Sequence, residues 1–289
     1  YRKELFEGQF LKLMVGYAYQ KFQNKYLFAQ GKGYVSDAFG INKLETGDPA
    51  LNEIGSSKRI SKYISYFVRL NYDINDKYLA SFTLRADGSD KFGSNNKYGY
   101  FPSVALAWRI SEEKFLREKK NWLSEFKIRF SLGRTGNANI GGSAYAELSA
   151  DANYIFNNRL TTGVRPTQLG NPDLKWETTT EVNFGMDFSV LRNRLSGSID
   201  VYQKVVSDLL DKRSVGSMYP ISTVYDNLGK TQSRGIEIQL NTINILKPDF
   251  CWQSNFTYTA YKDKWKERNP YTILSSYNTN TDPLHIRWG

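Results

Sequence analysis

Between residues 60 and 110 apolar and polar side chains alternate through three successive runs. In the first, Ile60, Ile64, Tyr66, Val68, Leu70 and Tyr72 share one parity, and Ser61, Tyr63, Ser65, Phe67, Arg69, Asn71 and Asp73 the other. After the polar turn Ile74-Asn75-Asp76-Lys77, the second run sets Tyr78, Ala80, Phe82, Leu84 and Ala86 against Ser81, Thr83 and Arg85. The third carries Tyr98, Tyr100, Val104, Leu106, Trp108 and Ile110 at even positions. Successive strand side chains point to opposite faces, so each run predicts a strand with one greasy and one wet face.

The same alternation predicts strands over about 10–20, 126–133, 181–190, 195–202, 236–241 and 250–259. The segment from Ser111 to Leu123 breaks the pattern and predicts a short helix capped by Ser111, with Glu112 and Glu113 in its first turn and Phe115, Leu116 and Trp122 on one side. Irregular loops are expected over 21–57, 87–97, 134–175 and 206–229, and short turns elsewhere. Short and long connections thus alternate from one strand end to the other. That asymmetry predicts an all-β fold: part of the wall of a transmembrane antiparallel β-barrel, about nine strands of a larger closed structure, with long extracellular loops. Backbone groups in lipid must all be paired, so such a wall exists only in a closed barrel.

Composition narrows the picture. Aromatic residues make up 15% of the chain while the mean hydropathy stays at −0.54, a combination that suits interface girdles around a polar lumen. No run is long and apolar enough for a membrane-spanning helix, which leaves strand spans untouched. The net charge of +10 admits nucleic acid, anionic lipid or dispersed surface charge as explanations. No Lys/Arg-dense stretch interleaved with stacking aromatics supports nucleic acid, and acidic residues are scattered among the basic ones. Attraction to an anionic outer leaflet and ordinary solvated charge both stay open.

Enzyme chemistry finds no footing. Cys251 is the single cysteine and His285 the single histidine, so neither a disulfide nor a Cys/His metal site nor a Ser/His/Asp triad can be assembled. Asp87-Gly88-Ser89-Asp90 lacks the remaining ligands of a calcium loop and reads as a polar turn. Gly229-Lys230-Thr231 imitates the end of a phosphate-binding loop, but Val224 stands where the first glycine is needed. Pro102 suits a bulge, edge or strand margin. No cofactor is expected.

The residues also resemble a known family. Ser65-Tyr66-Phe67-Val68-Arg69-Leu70-Asn71-Tyr72, Lys77-Tyr78-Leu79, Arg85-Ala86-Asp87-Gly88-Ser89 and Tyr98-Gly99-Tyr100-Phe101-Pro102-Ser103 are similar to blocks of the SusC/RagA group of TonB-linked outer-membrane proteins. So are Ala107-Trp108-Arg109-Ile110-Ser111-Glu112-Glu113, Gly133-Arg134-Thr135-Gly136-Asn137, Asn171-Pro172-Asp173-Leu174-Lys175-Trp176-Glu177-Thr178-Thr179 and Asn193-Arg194-Leu195-Ser196-Gly197. These blocks follow the family order and cover most of residues 58 to 262. The resemblance implies a barrel closed by an N-terminal plug that imports bulky nutrients, oligosaccharides or peptides, across the outer membrane of a Gram-negative, Bacteroidetes-like cell. It also implies energy delivered through TonB and a SusD-like surface lipoprotein over the mouth. Residues 1–289 then read as a partial barrel domain, an internal piece without plug or TonB box. The alternative of another class is a non-transporting outer-membrane barrel whose long loops act as a surface adhesin or binding protein.

Parity places Arg69, Arg85, Arg109, Arg129, Glu181, Asp187, Asp200, Glu237 and Gln239 on the lumen side. Lining a substrate path is one role for them; pairing with each other or with a plug is the other. The loop aromatics Tyr34, Phe39, Tyr145, Tyr154, Phe156, Tyr219 and Tyr225 are candidates for contact with substrate or lid, and equally for simple loop packing.

Overall fold

The structure, a computed structural model, describes residues 1–36, 38, 40–117, 122–140, 144–216, 218, 221, 223–271 and 287–288. Its strands in chain order are β1 (Arg2–Phe6), β2 (Gln9–Gln30), β3 (Glu53–Ile74), β4 (Tyr78–Ser89), β5 (Tyr98–Arg109), β6 (Leu123–Asn137), β7 (Glu147–Phe156) and β8 (Arg159–Gln168). They continue with β9 (Glu177–Val190), β10 (Leu195–Ser207), β11 (Leu210–Ser214), β12 (Thr223–Asn227), β13 (Lys230–Lys247), β14 (Phe250–Glu267) and β15 (Arg287–Trp288). One eleven-stranded sheet runs β1-β2-β3-β4-β5-β6-β9-β10-β13-β14-β15. Setting aside the short β1 and β15 leaves nine long antiparallel strands, the number that alternation predicts. β1 itself was not expected.

Register shows why one face is apolar. Leu11, Tyr72, Ala80, Leu106, Phe130, Phe184, Val201, Ile236 and Ala260 follow one another directly across the sheet. Many of these side chains stay exposed, including Leu106 and Phe184 at 50% each, because no second layer covers the face. A water-soluble sheet would bury it; a hydrocarbon surround has no need to.

The connections sort by end. Asn75 and Asp76 both take left-handed φ values and make the tight β3–β4 turn, and Leu191 to Asn193 do the same between β9 and β10. β5 and β6 meet at this end through a compact insert. Here the expectation of a Ser111-capped helix fails. Residues 110–112 form a 3₁₀ turn, and only Lys114–Arg117 is α-helical, as α1. Ser111 is 1% exposed and its Oγ has no hydrogen-bond partner. Phe115 and Trp122 are exposed. Such an insert is too short to offset helix nucleation, and it is pinned instead by Glu113. The Tyr78 hydroxyl (2.7 Å), Lys77 ammonium (3.1 Å) and Trp108 indole N–H (3.2 Å) all donate to that carboxylate.

At the opposite end the long connections are more ordered than expected. β2 and β3 stay paired out to Gln30↔Glu53, far past the apolar alternation, which shortens the loop between them. The stretches 134–175 and 206–229 contain the hairpins β7–β8 and β11–β12. The first turns on Asn157 and Asn158, both at left-handed φ, an Asn-Asn variant of the Asn-Gly hairpin signal. The expected turn at 87–90 is also partly strand, since Asp87 to Ser89 belong to β4. Pro102 meets its expectation: β5 pairs with β6 only from Ser103 onward, so its missing N–H falls where that ladder ends.

The buried core sits among these loops, not between sheets. Phe92, Phe101, Ala138, Ile140, Ala144, Leu174 and Trp176 pack together, with Phe92 and Leu174 fully enclosed. Trp176 lies 5.0 Å from the Phe92 ring and 5.5 Å from Phe101, and its indole N–H donates to the Lys97 carbonyl. The segment from Asn171 to Trp176 is the hub. Asn171 donates to the Tyr225 carbonyl, Asp173 accepts from Asn95, and Lys175 exchanges bonds with Asn227. Gly136 admits the Phe101 ring, whose tip would lie 2.0 Å from a β-carbon at that position.

Three outcomes follow from this packing. Leu70→Arg, in the middle of the apolar band, should cost about 2–4 kcal/mol of folding free energy measured in bilayers; an unchanged value would reverse the facing. Gly136→Ala should cost about 1–3 kcal/mol through overpacking of the enclosed Phe101, read as a lower denaturation midpoint. The Tyr78 hydroxyl, then Lys77 and Trp108, hold the Glu113 pKa below the usual carboxylate range. That stabilisation is complete above the unfolded pKa and disappears as pH falls through the folded one. Glu113→Gln should therefore melt below the native protein at neutral pH, with the gap closing on acidification.

Candidate functional site

The face opposite the apolar band is polar, and the nine residues named from parity all lie on it. Arg129 is the centre of its ion cluster. Its guanidinium grips Asp187 with two hydrogen bonds (2.9 and 2.8 Å) and reaches Asp200 at 3.0 Å, while Lys127 also contacts Asp187 at 2.8 Å. Register creates the cluster, because Arg129 stands opposite Gly185, Gly185 opposite Asp200, and Asp187 opposite Lys127. The missing side chain at Gly185 is what lets the two strands share one guanidinium. A β-carbon there would lie 2.5 Å from Asp200 Oδ1 and 2.7 Å from Arg129 Cζ.

The other named charges divide by partner. Arg69 donates to Thr83 at 3.0 Å, and Arg85 pairs with Asp87 at 3.1 Å while its Cζ lies 5.3 Å from the Phe67 ring centroid. Arg109 donates to the Asp76 carbonyl and approaches Glu112. Glu181 and Glu237 instead open into a cavity of about 500 Å³ with Asn183, Tyr202, Lys204 and Asp263. Gln239 stands one step further toward the short-turn end, opposite Ser198.

The loop aromatics separate likewise. Tyr34 donates to the Leu44 carbonyl, and Tyr225 packs on the loop core with Lys212 over its ring. Tyr145 is half exposed and tethered to the Phe92 carbonyl. Tyr154 and Phe156 stand exposed near the tip of the β7–β8 hairpin. Phe39 and Tyr219 lie outside the described residues, as does His285.

A second cavity on the polar face, about 570 Å³, lies beneath the loop core. Phe22 and Tyr63 line it edge to face, with centroids 5.9 Å apart, beside Trp176, Gln20, Asn24 and Asn137. Arg85, Asp87 and Lys91 add charge. Sequence reasoning named only Arg85 among these residues. The signal was present: Tyr63 and Phe67 are aromatics at polar parity, out of phase with every other large apolar side chain of their strand. Among the described residues, no group of three or more His, Cys, Asp or Glu side chains is placed to hold a metal.

Apolar band, short turns at one end and structured loops at the other define the class: the wall of a transmembrane β-barrel. Comparison identifies its lineage. Residues 3–288 match the family described as TonB dependent receptor-like, beta-barrel. The chain is 36% identical over 257 residues to TonB-dependent receptor SusC of Bacteroides thetaiotaomicron, covering 86% of this chain and 24% of that protein. It is 35% identical over 256 residues to TonB-dependent receptor P3 of Formosa agariphila, covering 88% of this chain and 25% of that one. Among solved structures, the RagAB peptide transporter superposes with a TM-score of 0.80 at 27% identity, over 94% of this chain and 30% of the matched one. The chain belongs to the TonB-dependent receptor β-barrel family, in its SusC/RagA branch, and spans about a quarter of the length of these curated relatives.

The Arg129 cluster carries its own test. In a double-mutant cycle, Arg129→Ala and Asp187→Ala should couple by about 1 kcal/mol, small because both side chains retain contact with water. Denaturation of the four proteins in bilayers measures it, and additive effects would mean the pair contributes nothing.

Proposed function

We propose that the protein is the barrel part of an outer-membrane importer that takes up oligosaccharides or peptides with energy delivered through TonB. The observation that carries this reading is the second cavity on the polar face. Aromatic rings beside side-chain amides suit amphipathic, hydrogen-bond-rich molecules, whose flat faces stack while their hydroxyl or amide groups bond. The peptide transporter named among the matching structures supports the peptide option. The polar face is the lumen, the short turns lie in the periplasm and the long loops outside the cell. The Arg129 cluster neutralises the wall below the cavity, so a passing substrate meets paired charges. A SusD-type lipoprotein covers the mouth, and the exposed hairpin tip at Ile155, Phe156 and Leu160 offers it an apolar contact.

The test is uptake of labelled glycan and labelled peptide by cells carrying the full-length gene, with and without TonB. Uptake lost on deleting either gene establishes an energised importer. Surface binding of ligand that persists without TonB-dependent entry would favour the adhesin reading. Within the importer, Phe22→Ala with Tyr63→Ala should lower uptake about five- to tenfold through lost stacking, with unchanged amounts of protein in the membrane.

A further inference from the structure

The apolar band of the outward face ends differently at its two rims. Toward the short turns it ends in uncharged residues: Tyr78 and Trp108, stacked with centroids 6.3 Å apart, and the paired Val190 and Leu195. Toward the long loops it ends in opposed cations at two places, on β2–β3 and on β13–β14, and in Tyr98 and Tyr100 on β5 between them. On β2 and β3 the paired rows read Tyr17↔Tyr66, Tyr19↔Ile64, then Lys21↔Lys62 and, two rows on, Lys25↔Lys58. All four lysines are exposed. On the far side of the wall, Ile236↔Ala260 is followed by Arg234↔Lys262. Lys264 comes next along β14, and the charges of Lys266, Arg234 and Lys262 all bear on it.

Like charges directly opposite each other destabilise an antiparallel pair. Here the sheet makes three such pairs on one face, two of them immediately beyond the apolar band and the third, Lys25↔Lys58, two rows further out. Among the described residues, none of these lysines forms an ion pair. Asp90, the carboxylate next to Lys62 along the ladder, makes none either, and its Oδ1 has no hydrogen-bond partner. Arg234 donates only to the neutral Gln203. The cations therefore await an anion from outside the chain.

Height says which anion. From Ile74 to Ile64 the outward residues of β3 climb about 33 Å along the strand, or about 25 Å of membrane once a strand tilt near 40° is allowed for, which is the thickness of a barrel's apolar band. Tyr17 and Tyr66, with centroids 5.3 Å apart, sit at the upper interface, and Lys62 is the next outward residue beyond Ile64. Its ammonium stands where lipid headgroups begin. We propose that this rim, chiefly Lys21 with Lys62 and Arg234 with Lys262, binds the phosphate groups of the glycolipid that forms the outer leaflet. The proposal rests on the orientation adopted above, with long loops outside, but not on transport. Phosphates at these positions convert cross-strand repulsion into charge-assisted hydrogen bonds and hold the barrel at a set depth.

The experiment uses the purified full-length protein and follows its thermal unfolding with three probes: lipopolysaccharide with its lipid phosphates intact, the same material dephosphorylated, and inorganic phosphate. Only the first should raise the melting temperature. Replacing Lys21, Lys62, Arg234 and Lys262 with Gln should weaken the response about fivefold per cation removed. Uptake by this variant should persist, because these side chains face away from the lumen. Equal responses to the two lipid forms in the native protein would overturn the proposal without any variant. So would an equal response to inorganic phosphate, which would mean a free-anion site. A cysteine introduced at Ser57, on the projecting β2–β3 ribbon, should react with an impermeant label on intact cells. Failure to label would overturn the orientation, a result distinct from labelled protein without a lipid response.

Discussion

In hydrocarbon an unpaired backbone N–H or carbonyl has no water to turn to, and each costs several kcal/mol. The ladder of long antiparallel strands is the answer to that constraint, and the other features of the wall follow from it. Pairing every strand with both neighbours puts alternate connections at opposite ends, which separates tight turns from long loops. It also makes every side chain choose between two faces, one for lipid and one for the lumen. The turn residues Asn75, Asp76 and Asn193 adopt left-handed backbone to keep the ladder closed at its tight end. Pro102, which has no N–H to give, stands where β5 leaves β6.

With no second layer beneath the sheet, the protein places its tightest packing at the mouth. Phe92, Phe101, Leu174 and Trp176 hold three long connections together, and the Asn171-Pro172-Asp173 turn distributes hydrogen bonds to each of them. The loops are therefore a built structure anchored in the wall. The second cavity lies directly beneath that mass and shares Trp176 with it. The indole that lines the cavity is the same one that fixes the loops, so cavity shape and loop order are joined through one side chain.

The polar face combines pairing and opening. Where Gly185 withholds a side chain, Arg129 bridges Asp187 and Asp200, and with Lys127 on Asp187 the four charges cancel. Glu237, opposite Asp200 in the same row, and Glu181, nearer the mouth along β9, face open space. Some of these charges are thus paired within the wall and others line open space. The outward face differs between its ends, aromatic and uncharged at the tight end and carrying opposed cations on β2–β3 and β13–β14 at the loop end. Part of the net charge of +10 is gathered in those opposed pairs.

Alternation alone determined the nine long strands, their facing and the separation of short from long connections, because a period of two survives without any tertiary partner. The motif from Asn171 to Glu177 was visible as a family resemblance, and its work as a hub was not. Tertiary structure decided what periodicity does not encode. Beyond the bilayer no solvent boundary enforces alternation, so the extension of β2 and β3 to Gln30 and Glu53 and the hairpins inside the loops left only faint turn signals. The cavity lined by Phe22, Tyr63 and Trp176 joins residues distant in sequence, and its one local trace was an aromatic at polar parity. The Arg129 cluster and the opposed lysines depend on register, the pairing of one strand's residues with another's. A linear sequence lists those residues, but only the ladder of hydrogen bonds between strands sets which of them meet.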